Sequence, residues 1–381
     1  MQVAANDYFS DMSRIFAVIL IIAASASARG QSGDSLLHTL ILVGDAGEHY
    51  VRETTMGSVV RKHLGPSAGN ATVVFLGDNI YPAGLSDRGS ATFGREQEIL
   101  MEQVSWVEGT GSRAIFVPGN HDWQHWGKKG LQYVKNQQSW FDSLQNPLFT
   151  LFPRENCPGP VEIGLGGLNL LVILDTQWFL HKWEKPGKDS SCGAKTREDV
   201  IQLLSDIIAR NPDKRIIVAG HHPLITYGDH GGIFTSKDHL FPLTDLRPYL
   251  YVPLPVVGSV YPLYRKLFGH LQDTRHPRYR EFREPIQEIL KRNPGNIYVA
   301  GHEHALQYSV QDSTHFIVSG AGAKYTSVKH KGFARFVAGT TGFVQANLYG
   351  DGSILIRIIR VDRKNPAGAE IYNTIIPAIA R

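Results

Sequence analysis

Five short polar motifs constrain this chain more than any other feature, because each follows a run of apolar residues. The apolar runs are Leu37–Val43, Ala71–Leu76, Ala114–Val117, Leu168–Leu174, Arg215–Ala219, Asn296–Ala300 and His315–Val318. The motifs are Gly44-Asp45-Ala46-Gly47, Gly77-Asp78-Asn79-Ile80-Tyr81, Gly119-Asn120-His121-Asp122, Gly220-His221-His222-Pro223 and Gly301-His302-Glu303-His304. Such runs are typical of buried strands, and the carboxyl ends of strands line the ligand crevice of open α/β sheets. The motif side chains are therefore predicted to meet in one cleft.

Helix-like patterns lie between several of these runs. Glu96–Val107 and Arg283–Arg292 have apolar residues at helical spacing, and Thr196–Ala209 begins with a sequence that resembles a capping box. Strands that alternate with helices predict an α/β fold whose sheet is covered on both faces. Toward the C-terminus, Gly342–Val361 alternates apolar and polar residues around a Gly-Asp-Gly turn. This pattern predicts a β-hairpin that closes the domain.

The N-terminal residues have the pattern of a secretory signal peptide. Arg14 precedes the apolar run Ile15–Ala24, and Ala26-Ser27-Ala28 has the small residues of a cleavage site. A signal peptide over residues 1–28, cleaved near Ala28, predicts a secreted or periplasmic protein. A buried N-terminal helix is the alternative. No later stretch is long and apolar enough for a clear membrane span.

The composition is that of a globular protein, with 42% hydrophobic and 19% charged residues among 381. The net charge is +4 without a block of Lys or Arg, so nucleic-acid binding is not expected beyond a nucleotide as substrate. Cys157 and Cys192 are not part of a CxxC motif, so a thiolate zinc site is not expected. An exported protein can keep a disulfide, so these two cysteines are either bridged or buried thiols.

One segment, Leu240–Arg280, is too long for an ordinary connection between core elements. This insert holds Pro242, Pro248, Pro253, Pro255 and Pro262 with many aromatic residues, followed by a basic stretch. It is interpreted as a lid or substrate loop, or alternatively as a peripheral insertion, and its apolar half could rest on a membrane surface. Apart from the insert, residues 37–361 are predicted to form a single domain, which is followed by a C-terminal tail over residues 362–381.

The residue types of the five motifs suit a two-metal site. One carboxylate has two oxygens, so Asp78 could bridge two cations about 3.5 Å apart, and Asp45 adds a second negative charge. The two histidines of the last motif could each bind a different metal, and Asn120 offers a neutral amide oxygen. A mixed nitrogen and oxygen set without cysteine favours Fe, Mn or Zn. Two such cations supply hydroxide near neutral pH and stabilise charge on a phosphate.

His121 follows Asn120 directly and is expected at the rim of the metals. It could protonate a leaving alcohol or donate a hydrogen bond to a phosphate oxygen. Asp122 could orient His121, or it could be an ordinary turn or capping residue.

The order of the motifs resembles that of the calcineurin-like metallophosphoesterases, and more narrowly their purple acid phosphatase branch. In the wider superfamily, a histidine and an aspartate usually stand where this chain has Gly47 and Tyr81. The Asp-x-Gly, Gly-Asp-x-x-Tyr, Gly-Asn-His-Asp, Val-x-x-His and Gly-His-x-His series is similar to the purple acid phosphatase pattern. An acidic-His-Gly element, Asp229-His230-Gly231, resembles the small, tartrate-resistant type. The stretch from Cys157 to Trp178 also looks like secreted bacterial relatives.

The resemblance implies a fold, a metal site and an activity. The fold would be a four-layer αββα sandwich with two mixed β-sheets and helices outside. Fe(III) would be held by Asp45, Asp78, Tyr81 and His304, and a divalent Fe, Zn or Mn by Asp78, Asn120, His221 and His302. His121 and His230 would be the outer-sphere pair that handles protons and orients the substrate. His222 is expected as a cleft residue rather than a ligand.

The activity expected from this site is hydrolysis of phosphomonoesters, with metal-bound hydroxide attacking phosphorus. The same site could instead cleave phosphodiesters, nucleotides or pyrophosphate. In that case Arg275, Arg278 and Arg280 of the insert could contact a second phosphate. A metal-stabilised surface module without turnover is the alternative from another class. The oligomeric state is left open.

Overall fold

Two mixed β-sheets, each of seven strands, make up the centre of the computed structural model, which describes residues 35–48, 55–65, 69–245 and 250–378. The predicted signal peptide lies outside the described residues. The strands are β1 Leu36–Val43, β2 Ala71–Phe75, β3 Arg113–Phe116, β4 Phe149–Leu151, β5 Val161–Gly164, β6 Asn169–Ile173, β7 Arg215–Ala219, β8 Ile297–Ala300, β9 Leu306–Gln311, β10 Thr314–Ser319, β11 Ala334–Ala338, β12 Gly342–Tyr349, β13 Ile354–Asp362 and β14 Asn365–Ile376.

The first sheet has the order β14-β13-β12-β1-β2-β3-β4, and the second has the order β11-β9-β10-β8-β7-β6-β5. In the first sheet β1 to β4 are parallel, whereas β12 to β14 pair antiparallel. In the second sheet β6, β7, β8 and β10 are parallel. The predicted β-hairpin is β12 and β13. Strand β14 pairs with β13, so the first sheet extends into the segment that the sequence analysis treated as a tail.

The helices are α1 Met56–Leu64, α2 Phe93–Ser105, α3 Gly130–Ser143, α4 Thr176–Leu180, α5 Arg197–Arg210, α6 Ser236–Leu240, α7 Val260–Phe268 and α8 Pro277–Leu290. Thr196 caps α5 as predicted, because its side chain accepts from the Asp199 amide while the Asp199 carboxylate accepts from the Thr196 amide. The helix predicted over Arg283–Arg292 begins earlier, at Pro277, where proline suits the first turn. None of the helices in the described ranges has the length and apolar character to cross a membrane.

The alternation of side chains along β1 explains why the predicted strands are continuously apolar. Leu40 and Leu42 belong to a hydrophobic cluster that joins strands of both sheets, including Ile217 of β7. Ile41 and Val43 belong to a second cluster that includes residues of helices, such as Val59. Successive side chains of a strand point to opposite faces, so both faces of the sheet are buried. This arrangement, two mixed sheets flanked by helices, confirms the predicted metallophosphatase-type fold.

A disulfide joins Cys157 to Cys192. This bridge resolves the alternatives that the sequence left open for the two cysteines. It ties the loop before β5 to the loop before α5.

Candidate metal centre

The candidate metal ligands lie just beyond the carboxyl ends of parallel strands from both sheets. Asp45, Asp78 and Asn120 follow β1, β2 and β3 of the first sheet, and His221 and His302 follow β7 and β8 of the second. The seven predicted ligands come together there and are called the strand-end cluster: Asp45, Asp78, Tyr81, Asn120, His221, His302 and His304. Six of them are at least nine-tenths buried, and His304 is the more exposed one, at 21% for its side chain.

One half of the strand-end cluster is centred on the hydroxyl of Tyr81. This oxygen lies 3.0 Å from Asp45 Oδ1, 3.0 Å from Asp78 Oδ2 and 3.3 Å from His304 Nε2. His304 Nε2 is also 3.4 Å from Asp45 Oδ1. The other three side chains predicted for this cation therefore converge on the Tyr81 hydroxyl.

The other half is centred on the amide oxygen of Asn120. It lies 2.9 Å from His221 Nε2 and 3.0 Å from His302 Nδ1. His221 Nε2 is also 3.4 Å from Asp78 Oδ1. Asp78 thus presents one carboxylate oxygen to each half, which is the position that a bridging ligand requires.

Backbone conformation at the strand ends aims these side chains. Asp45, Asp78 and His302 have positive φ angles of 58°, 54° and 67°, a region that few non-glycine residues occupy. Glycine is required beside them, because a Cβ on Gly119 would lie 2.3 Å from Asp78 Oδ1 and one on Gly77 would lie 2.5 Å from His221 Nδ1. The motif glycines therefore allow the strand ends to approach closely.

The charge balance of the strand-end cluster fits cations. Burial, together with the neighbouring Asp78 carboxylate, raises the pKa of Asp45 to about 7. Burial also raises the pKa of Asp78, but the neighbouring His221 and His121 rings, with hydrogen bonds from the His121 amide and the Tyr81 hydroxyl, together keep that pKa below its usual value. Two buried carboxylates with a phenol, an amide oxygen and imidazole nitrogens are a donor set for hard or borderline cations. A cation bound between the acids would remove the cost of ionising both.

The two predicted outer residues lie on different sides of the strand-end cluster. The ring of His121 is 18% exposed, with Nε2 3.9 Å from Asp78 Oδ2. Its Nδ1 hydrogen-bonds with the carbonyl oxygen of Pro82 rather than with Asp122. Asp122 instead accepts from the amides of Asn79 and Gly119, so its observed contacts are those of a turn residue.

His230 packs against the cluster from the insert side, with its ring centroid 3.9 Å from that of His302 and the two rings tilted by 33°. Its Nδ1 is 3.0 Å from Asp273 Oδ1, and Asp273 also forms a two-point ion pair with Arg265, at 2.6 Å and 3.0 Å. Although burial lowers the pKa of His230, its hydrogen bond to Asp273 and the charges of Glu303 and Asp273 together raise it above the usual value. His230 is therefore oriented by residues of the insert.

Sequence reasoning missed Gln272, which fastens the insert to the second half of the cluster. Its side-chain oxygen is 2.6 Å from His222 Nε2, and its backbone oxygen is 2.9 Å from His302 Nε2. The other ring nitrogen of His222 is 2.8 Å from Thr176 Oγ1. His222 lies close enough to His221 and His302 to share a metal with them, but both of its ring nitrogens already have hydrogen-bond partners. Only the unusual length of the insert signalled such a contact.

The cluster opens into a cavity of about 350 Å³. Beyond the cluster residues, its walls include His125, Trp126, Tyr261 and His270 as a group of rings, with Arg265 among them. The arginines proposed to contact a second phosphate have other partners. Arg275 and Arg278 donate to backbone oxygens, and Arg280 pairs with Glu284. The role proposed for these three arginines is therefore not supported, and Arg265 is the arginine at the cavity.

A family model described as calcineurin-like phosphoesterase matches residues 38–306, which contain every residue of the strand-end cluster and both outer histidines. The chain belongs to this family. Membership of the calcineurin-like phosphoesterases supports a metal-dependent phosphoesterase acting on phosphoester substrates with two metal ions. A comparison with curated proteins found no match.

Solved structures similar to this phosphoesterase share its fold at low sequence identity. GAP50, described as the anchor in the inner membrane complex of Plasmodium, is 14% identical with a TM-score of 0.54, over 91% of this chain and 90% of that one. The purple acid phosphatase PPD1 from yellow lupin is 15% identical with a TM-score of 0.52, over 86% of this chain and 52% of that one. PhoD is 12% identical with a TM-score of 0.55, over 91% and 70%. At these identities the neighbours show the fold alone.

Proposed function

We propose that this chain is a dinuclear-metal phosphatase that hydrolyses phosphomonoesters. The observation that carries the proposal is the position of Asp78, whose two carboxylate oxygens face the two halves of the strand-end cluster. A pair of cations held by the two halves would supply a water of lowered pKa as the nucleophile and neutralise charge on the phosphate. The first half would hold one cation through Tyr81, Asp45 and His304, and the second half would hold the other.

The two outer histidines would handle the substrate. His121 lies at the rim of the cavity with Nε2 toward Asp78, so it can reach a leaving-group oxygen and give it a proton. His230 is held by Asp273 on the opposite side, where a raised pKa favours the protonated, phosphate-binding form. Together they would fix the ester so that its leaving group points away from the attacking water.

Iron and export belong to the same proposal. A phenolate is a hard anionic donor that favours a trivalent cation, so Fe(III) is proposed in the Tyr81 half and Fe(II), Zn or Mn in the other. The substitution Tyr81→Phe should then abolish visible absorption of the purified protein. The disulfide is compatible with secretion or a periplasmic location, as the N-terminal sequence predicts.

A second candidate is hydrolysis of nucleotides or other diesters. The rings that line the cavity favour it, because they could stack on a base or an aryl group. Arg265 at the same wall could contact a further phosphate oxygen.

The test compares hydrolysis of a simple phosphomonoester and a simple phosphodiester by the wild type and Asp78→Asn, with metal added back. We expect preferential monoester hydrolysis that falls more than about 100-fold in the variant, beyond what loss of an outer-shell partner costs. Diester-dominated turnover would favour the second candidate, and unchanged rates in Asp78→Asn would contradict the dinuclear site.

Asp175→Asn is the matched control. Asp175 is as buried as Asp78 but lies outside the cluster, where it accepts from the indole of Trp123. Asp175 Oδ1 also accepts from the Trp178 amide, so Asn keeps one of the two acceptors and the variant measures what losing a buried carboxylate outside the cluster does to the rate. Its activity should stay within about threefold of the wild type, because it contacts neither half of the site.

A further inference from the structure

The insert carries a surface whose polarity is the reverse of an ordinary amphipathic helix. Ten of the eighteen large hydrophobic side chains that are exposed in the described residues lie between Tyr251 and Phe268. On α7, the buried side chains are those of Pro262 and Arg265, whereas Leu267 is 69% exposed. We call the exposed hydrophobic side chains between Tyr251 and Phe268 the apolar face. Contiguous exposed apolar surface of this kind marks an interaction site.

The orientation of α7 is fixed rather than accidental. Arg265, which points inward, makes a two-point ion pair with the buried Asp273, and its guanidinium also lies over the ring of Phe234. Rotating the helix to bury its hydrophobic residues would break this pair and leave Asp273 buried with one partner fewer. The fold therefore holds the apolar face outward.

The loop before α7 also holds a hydrophobic side chain toward the outside. Val256 is 87% exposed and has a φ angle of +66°, a conformation that a β-branched residue adopts only with strain. Glycine would be the easier residue at this point. Valine at position 256 therefore costs backbone strain and adds one more exposed hydrophobic side chain to the apolar face.

We propose that the apolar face rests on the interfacial region of an anionic lipid bilayer. Residues 246–272 contain no Asp or Glu, and Lys266 is exposed among them. Of the charged residues just outside this stretch, Lys237 and Arg275 are exposed, whereas Asp238 is half-buried in a capping box with Thr235 and Asp273 is buried against Arg265. Aliphatic side chains mixed with tyrosines and bordered by lysine and arginine match the order of acyl boundary and charged headgroups at a membrane surface. An acidic border, which a basic protein partner would require, is missing from residues 246–272.

The apolar face is continuous with the cavity. Tyr261 is exposed on α7 and also lines the cavity of the metal centre, and Arg265 of the same helix lines it too. A bilayer in contact with α7 would therefore lie beside the mouth of the cavity. The proposal concerns the surface alone and holds whether or not the metal centre turns over a phosphomonoester.

The test measures co-sedimentation of the full chain with vesicles of phosphatidylcholine containing phosphatidylglycerol, and with phosphatidylcholine alone. The double variant Val257→Glu/Leu267→Glu places charges on the apolar face. Ile375→Glu on strand β14 is the matched control, because Ile375 is about as exposed as Val257 and Leu267 but lies outside the apolar face. We expect tighter binding to the anionic vesicles, at least a tenfold loss in the double variant, and no loss in the control. Equal binding by all three proteins, or no binding by the wild type, would overturn the proposal.

A second measurement locates the contact independently of other apolar segments of the chain. An environment-sensitive fluorophore on Val257→Cys should shift to the blue when anionic vesicles are added, whereas one on Ile375→Cys should not. An unshifted label at position 257 would overturn the proposal. So would a doubled mass by light scattering that the double variant abolishes, since a second copy of the chain would then cover the apolar face.

Discussion

The strand-end cluster and the apolar face depart from the usual distribution of side chains in opposite directions. The strand-end cluster buries two carboxylates and several imidazoles, and many of their contacts are with one another. The apolar face exposes hydrophobic side chains and buries an arginine beneath them. Each departure costs free energy in water, and the kind of side chain that is misplaced indicates which ligand or surface would offset that cost. Buried acids call for cations, and exposed aliphatic groups call for an apolar surface.

The two regions are joined through few residues. Asp273 contacts His230 on the cluster side and Arg265 on the helix side, and Gln272 contacts His302 through its backbone oxygen. The insert is therefore both a wall of the metal centre and the support of the apolar face. Perturbing one region while measuring the other tests whether they act separately.

Short of losing metal, the largest expected effect at the metal centre is that of His121→Gln, an outer residue beside the strand-end cluster. If His121 protonates the leaving group, kcat for an alkyl phosphate should fall about 100- to 1,000-fold, with a much smaller loss for 4-nitrophenyl phosphate, whose leaving group needs no proton. The metal content should stay the same. His125→Gln is the matched control, since this ring stacks on His121 at 4.3 Å and lines the same cavity. Equal losses for both substrates would contradict the proton-transfer role.

A smaller effect is expected where the two regions meet. Asp273→Asn weakens the support of both His230 and Arg265, so kcat/KM should fall about tenfold, mainly through KM. Limited proteolysis within the insert should become faster at the same time, because α7 loses its ion pair. Glu284→Gln, which removes ion pairs of a half-exposed carboxylate with Arg280 and Arg283, should change neither property. A loss of activity without faster proteolysis would mean that the two regions are independent.

The smallest effect concerns His38, a buried histidine outside the strand-end cluster, and the dependence of stability on pH. His38 contacts Thr72 at 3.0 Å, and burial, aided by the charge of Arg113, lowers the pKa of His38 to about 4. The unfolded chain binds a proton here below about pH 6.5, whereas the folded chain does so only near pH 4, so this group destabilises the fold as the pH falls through that window.

His38→Gln should therefore flatten the decrease of the melting temperature between pH 6.5 and pH 4 without changing the metal content. Thermal unfolding of the two proteins across this range checks the prediction. A variant whose melting temperature falls with pH as steeply as that of the wild type would show that His38 does not titrate in this way.

The sequence predicted much of the fold because its signals were local. Continuous apolar runs and the Thr196 capping box marked strands and a helix, and motif glycines marked strand ends such as Gly77. The contacts of Gln272 and Asp273 could not be predicted in the same way, because no local pattern marks the place where a long insert folds back. For Asp122, adjacency in the sequence suggested a contact that the structure does not have. Its position beside His121 suggested a partner, but its carboxylate faces the turn formed by Asn79 and Gly119.

The central claim is that Asp78 is shared by two cations, and metal stoichiometry tests it most directly. Metal per chain would be measured by plasma mass spectrometry for the wild type, His304→Ala, Asn120→Ala and Asp78→Ala, each checked for an unchanged fold. The dinuclear arrangement predicts two metal ions in the wild type, one in each of the single-half variants His304→Ala and Asn120→Ala, and none retained in Asp78→Ala. An Asp78→Ala protein that keeps one or both ions would contradict it.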